Sequence, residues 1–300
     1  MSDRPLLGII LMIGFCVMAP MGDALAKVLG ETIPLGQLLL TRFGVQTVVL
    51  IPLAWLTGRA LWMTGRVLRL TILRSILHII GIGAMFTSLR YLPLADAVAI
   101  AFVMPFIMLL LGKYVLGEEV GSRRLMACVV GFIGTLFVIQ PSFAEVGWPA
   151  LLPLVVAVDF ALFMLVTRQV AKEADPISLQ AVSGLVASAM LGALFLIPGA
   201  SSLAPFALVS PDGGELVMLV AIGLLGTFAH LLMTWSLRFA PSATVAPIQY
   251  LEIPVATIMG FLIFADWPNG LAMLGIAITM ASGLYILNRE RNLSRAAPPA

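Results

Sequence analysis

Apolar runs long enough to cross a bilayer recur from one end of the chain to the other, and nothing else in the sequence limits the fold so strongly. A helix needs about 17 to 25 apolar residues to span roughly 30 Å of hydrocarbon. Ten such runs are expected, at about 6–26, 35–57, 70–90, 94–116, 124–140, 149–168, 176–197, 215–237, 242–265 and 268–288. Each is too long and too uniformly apolar for the alternating strands of a membrane barrel, so the expected fold is an all-α polytopic membrane protein. Composition agrees: 61% hydrophobic and 11% charged residues over 300 positions leave too little polar surface for a soluble domain.

The start, with one Arg and an apolar run, has the outline of a signal peptide, but nine further apolar segments favour a first membrane helix. Cys16 and Cys128 fall inside spans, where they read as small packing residues and not as a disulfide or metal pair. Charge placement orients the chain. With the N-terminus inside, ten spans put Arg59, Arg66, Arg69, Arg123, Arg124, Arg168, Lys172, Arg238, Arg289, Arg291 and Arg295 on the cytoplasmic side. Lys27 and Arg90 then lie outside, and both termini are cytoplasmic. A miscount by one span would destroy that bias.

Two stretches share a pattern in register. "SLRYLPLADAVAIAFVMPFIMLLLGKYVLGEE", from residue 88, matches "SLRFAPSATVAPIQYLEIPVATIMGFLIFADW", from residue 236, at an offset of 148. The same offset sets Ala127, Gly131 and Thr135 on Gly275, Thr279 and Gly283, two ridges of small residues suited to close helix packing. Two five-helix halves are expected, 1–141 and 142–300. Because five is odd, the second enters the membrane from the opposite side, as in secondary transporters whose site lies between inverted repeats.

These two stretches resemble the EamA family of the drug/metabolite transporter superfamily. The resemblance spans about residues 6 to 288 and rests on the two repeats, on Pro105 and Pro254 in the fourth and ninth spans, and on Glu118 and Asp266 closing the two hairpins. It implies that spans 3, 4, 8 and 9 rock around a central cavity. Family members move amino acids, nucleotide sugars, vitamins such as riboflavin, S-adenosylmethionine or amphipathic toxic compounds. One departure stands out: the second proline falls at an offset of 149, which puts Glu252 where symmetry calls for Met104.

An ionisable group at bilayer depth costs about 2.5 to 3.5 kcal/mol and so should face a cavity or a partner. Glu252, some ten residues into the ninth span, is the leading candidate for carrying a proton or binding a substrate amine; packing alone is the alternative. Pro254 removes an amide and should leave the carbonyl of Tyr250 free. His230 and Asp159 are expected at a similar depth and, with Glu252, could form a polar cluster. His78 reads more readily as structural. Gln249, Tyr250 and Trp235 are candidate wall residues, with Trp235 equally suited to an interfacial anchor. Asp23 and Lys27 share a helix face, and with Arg42 they are the candidate outer gate, an ion pair between spans 1 and 2 being the plainer reading.

The expected function is a secondary transporter in the bacterial inner membrane, moving a small metabolite by alternating access, with proton or exchange coupling. Export of amphipathic toxic compounds is the alternative. A phosphate-binding loop, H-E-x-x-H and G-x-S-x-G are all missing from the sequence, which argues against direct ATP use and against an intramembrane enzyme. A channel is the remaining class. No metal, cofactor or nucleic acid is expected, only a small-molecule substrate and lipid, with the protein acting as a monomer or a homodimer.

Overall fold

Backbone amides and carbonyls in hydrocarbon must bond within their own segment, so apolar runs of this kind become helices, and prolines and polar caps set their ends. The computed structural model describes residues 5–104, 106–107, 111, 122–170, 173–240 and 248–296. These contain ten α-helices of eight residues or more. The first five are α1 (Pro5–Leu29), α2 (Leu35–Leu56), α3 (Gly65–Leu89), α4 (Leu94–Ala101) and α5 (Ser122–Val146). The rest are α6 (Leu152–Val170), α7 (Pro176–Phe195), α8 (Gly213–Phe239), α9 (Glu252–Phe264) and α10 (Gly270–Ala296). There is no strand among the described residues.

Local chemistry explains several starts. Asp175 caps α7 by accepting from the amides of Ile177 and Ser178, with Pro176 at the first helical position. Asp212 and Glu215 form a reciprocal capping box at the start of α8. Seven helices of the described residues are long and apolar enough to cross a membrane, while α9 and residues Gly270–Tyr285 are apolar but shorter.

The packing repeats with a two-fold pattern. Helix α1 lies against α8 as α6 lies against α3. Likewise α2 meets α8 as α7 meets α3, and α1 meets α9 as α6 meets α4. The pairs α2 with α7, α4 with α9 and α5 with α10 map onto themselves. Exchanging the first five helices with the second five therefore maps these packed pairs onto one another.

The two small-residue ridges meet each other at the α5–α10 seam. Ser282 Oγ donates to the Ala127 carbonyl at 2.6 Å and Thr279 Oγ1 to that of Gly131 at 3.4 Å. Gly134 lies so close to Gly275 and Thr279 that a Cβ there would meet Thr279 Oγ1 at 2.8 Å.

Helices four and nine depart from the expected unbroken spans. Helix α4 ends at Ala101, with a turn at Phe102 and Val103, and the chain is again helical at Met104. Residues Ile248 and Gln249 are helical, Tyr250 and Leu251 form a turn, and α9 begins at Glu252. The two breaks sit at the same offset of 148. Glu252 is therefore the first residue of α9 and not ten residues into a continuous helix. The Tyr250 carbonyl is not free either: Ile253 N donates to it at 3.3 Å, closing a tighter turn. Pro105 and Glu118 lie outside the described residues.

Candidate functional site

The breaks in the fourth and ninth helices border a cavity of about 120 Å³, large enough for several waters or a small solute. It is bounded by α1, α3, α4, α6 and α8, by Arg42 from α2, and by Gln249 and Glu252 around the second break. On α1 it touches Phe15 to Asp23, on α3 His78 to Phe86, on α6 Val156 to Phe163 and on α8 Ile222 to His230. On α1 and α3 these stretches lie toward the end that carries Lys27, and on α6 and α8 they are near the middle.

Arg42 occupies the centre. Its side chain is 3% exposed, and its Nη2 lies 3.4 Å from His78 Nε2 and 3.3 Å from His230 Nδ1. Gly226 makes this possible, since a Cβ there would meet the guanidinium at 2.8 to 2.9 Å. A guanidinium only donates, so His78 Nε2 accepts, and a neutral His78 ring carries its proton on Nδ1. His230 Nδ1 also lies 3.0 Å from the Gly226 carbonyl, so it either donates there or accepts from Arg42. The imidazole centroids are 4.4 Å apart, and Phe163 stacks obliquely on His78 at 4.9 Å.

Three carboxylates face the same space. Asp23 and Glu252 line it together with Arg42. Asp159 sits instead against α3, its Oδ2 occupying the place a Cβ at Gly81 would take. Three buried donors that belong to cavity-lining residues have no protein partner among the described residues: Arg42 Nη1, His78 Nδ1 and Gln249 Nε2.

Eight of the residues singled out by sequence line this cavity: Asp23, Arg42, His78, Met104, Asp159, His230, Gln249 and Glu252. Their grouping differs from the expectation. His230 contacts Arg42 and His78 and not the two acids, because a histidine on α8 facing α2 and α3 cannot also face α9. His78, read as structural, is central. Tyr250 does not line the cavity; it is 2% exposed, packs on Phe102 at 5.4 Å between centroids and lies over Gly283 of α10. Trp235 packs beside Leu50, Ile177 and Leu231, away from the site. Lys27 donates to the Leu92 carbonyl at 2.6 Å and pairs with Asp266 at 3.5 Å, so it ties α1 to the end of α9 and leaves Asp23 and Arg42 to the cavity.

Below the cavity, toward the other end, sequence reasoning passed over Arg74. It is fully buried, with its guanidinium 4.5 Å from the centre of the Phe163 ring. Nε donates to Thr167 Oγ1 at 2.8 Å, Nη1 to Ser183 Oγ at 2.8 Å, and both terminal nitrogens reach Gln180 Oε1 at 3.3 Å. Gln180 in turn reaches Thr234, and Gln46 donates to the Gln180 carbonyl at 2.7 Å, so five helices share one network. The signal was present: a charge in an apolar span, one turn before His78. Beyond this floor, Asp175 pairs with Arg59 and, at 3.7 Å, with Arg238, while Arg66 pairs with Glu173.

The model of the EamA-like transporter family matches residues 6–140 and again 147–288. The chain belongs to this family. It is a multi-pass membrane transporter with the two-repeat EamA fold, and not an enzyme. A riboflavin transporter of Rhizobium johnstonii is 29% identical over 222 residues, covering 74% of this chain and 71% of that protein. An S-adenosylmethionine uptake transporter of Rickettsia felis is 25% identical over 269 residues, covering 90% and 88%. A crystal structure at 18% identity superposes with a TM-score of 0.65 over 94% of this chain and 97% of the other, a likeness of fold.

Proposed function

We propose that the protein is a secondary transporter of a small organic metabolite in the bacterial inner membrane, working by alternating access through ten spans arranged as two inverted repeats, 1–141 and 142–300. The observation that carries this reading is the cavity itself. Helices from both halves enclose it, charged and imidazole groups face it at membrane depth, and a polar network and ion pairs lie between it and the Arg59 end. A site between repeats that is accessible from one side is what alternating access requires.

The Arg59 end is taken as cytoplasmic, since Arg59, Arg66 and Arg238 gather there and Lys27 and Arg90 lie at the opposite end. Gln249 and Glu252 sit at the helix break that would flex, which suits them to substrate binding and, for Glu252, to coupling. The aromatic and imidazole walls fit a planar ring, as riboflavin or the adenine of S-adenosylmethionine would supply; amino-acid-like and nucleoside-like solutes share these features.

Counterflow in proteoliposomes tests the reading. Vesicles preloaded with unlabelled riboflavin or S-adenosylmethionine should accumulate the labelled compound transiently and saturably. Non-saturating flux would point to a channel, and chemical turnover without flux to an enzyme.

A further inference from the structure

Asp159 stands apart from the charges gathered round Arg42. Asp159 lines the cavity on α6, and among the described residues no hydrogen bond or ion pair joins it to Arg42, which lies instead by His78 and His230. It is 6% exposed, and among the described residues nothing bonds or pairs with its carboxylate. Two aromatic rings of the same helix, Phe160 and Phe163, line the cavity with it and stack on each other with centroids 5.7 Å apart and planes 13° apart.

A carboxylate held ionised at this depth is stabilised by a counter-charge, and aromatic faces add attraction for a cation through their quadrupoles. Arg42, the one guanidinium lining the cavity among the described residues, lies by two imidazoles, and no described cation pairs with Asp159. Gly81 is the second part of the device. Its missing side chain leaves the space that Asp159 Oδ2 fills, so any larger residue there would push the carboxylate off α3.

We infer that Asp159, placed by Gly81 and flanked by Phe160 and Phe163, is the specificity-determining group of the cavity and selects an organic cation that carries a planar ring. Arg42 Nη1 and Gln249 Nε2, both without protein partners, then take hydrogen-bond acceptors elsewhere on the same solute. This inference rests on the cavity being the transport site.

The test uses the full chain in lipid nanodiscs at neutral pH and two probes of one shape, phenethylamine, a cation, and 2-phenylethanol, its neutral counterpart. Calorimetric titration should show the amine bound about tenfold more tightly by the natural protein, a difference of about 1.4 kcal/mol. Asp159→Asn and Gly81→Ala should each erase that preference while 2-phenylethanol still binds. A natural protein that shows no amine preference, or an Asp159→Asn variant that keeps it, overturns the inference. Counterflow, measured separately, distinguishes the two readings: intact counterflow without amine preference defeats this inference alone, and amine preference without counterflow of any solute defeats the transport reading alone.

Discussion

At the scale of single residues, the site is a set of polar groups that the membrane makes costly and that the fold brings to one place. Glu252 is the asymmetric one, since its repeat mate at the 148 offset is Met104. If it couples transport, Glu252→Gln keeps shape and folding but can neither exchange a proton nor carry charge. The expected result is loss of concentrative uptake with an unchanged melting profile, and normal accumulation with a normal pH dependence would remove Glu252 from the mechanism. Arg74 has a different task. It holds Thr167, Gln180 and Ser183 with one planar fork, a geometry that an ammonium group cannot copy. Arg74→Lys leaves at least one of these groups unsatisfied and should cost about 1 to 3 kcal/mol, read by denaturation in detergent. Stability equal to the natural protein would show that the network has no need of the fork. Both residues were visible in the sequence as charges within apolar spans, but their partners were not. Which neighbour a histidine or acid meets depends on helix rotation, and the pairing of His230 with Arg42, 188 positions away, lies beyond any local pattern.

At the scale of elements, helix existence and approximate limits were legible because hydrocarbon leaves a long apolar run no other backbone solution. The breaks were not, although the prolines announced them. A proline inside a helix predicts a lost hydrogen bond but not how the chain repairs it. Here Ile253 moves onto the Tyr250 carbonyl, and the turn this creates carries Tyr250 toward Gly283 and out of the cavity. Pro254→Ala restores an amide that can compete for that carbonyl. One recovered hydrogen bond contributes about 0.5 to 1.5 kcal/mol toward a straight helix. If the break is a hinge, turnover should fall by roughly two- to tenfold with less change in substrate affinity. Equal turnover in the variant would make the break architectural only. The ridges at the α5–α10 seam were the most readable tertiary feature, since small residues at four-residue spacing have few uses in a membrane other than close approach. Gly134→Leu, placed where a single Cβ already meets Thr279, should split that seam and show as a large loss of folded protein in a fluorescence size-exclusion profile.

At the scale of the whole molecule, the two ends of the bundle are held unequally. Among the described residues the Lys27 end has one ion pair, Lys27 with Asp266, and side-chain bonds from Lys27, Arg90 and Gln37 to backbone groups. The Arg59 end has the Arg74 network, and beyond it Asp175 pairing with two arginines, Arg59 from the α2–α3 connection and Arg238 from α8. Alternating access requires these closures to exchange, so weakening the Arg59 end should raise the population open on that side. Asp175→Asn isolates the electrostatic part, because asparagine caps a helix as well as aspartate does but carries no charge. Partly exposed pairs contribute about 0.2 to 1 kcal/mol each, so losing two shifts the equilibrium by roughly two- to thirtyfold. The readout is labelling of Ala181→Cys, which lies fully buried behind this end, in a background without Cys16 and Cys128. Thiol modification from the Arg59 side should quicken in the Asp175→Asn variant and slow again when substrate that favours the opposite state is added. Salt supplies an independent check: at about 1 M ionic strength the screening length shrinks to roughly 3 Å, and the natural protein should approach the variant's rate. A labelling rate indifferent to both the substitution and salt would mean that these ion pairs decorate the closed end without holding it, leaving the Arg74 network as the sole closure.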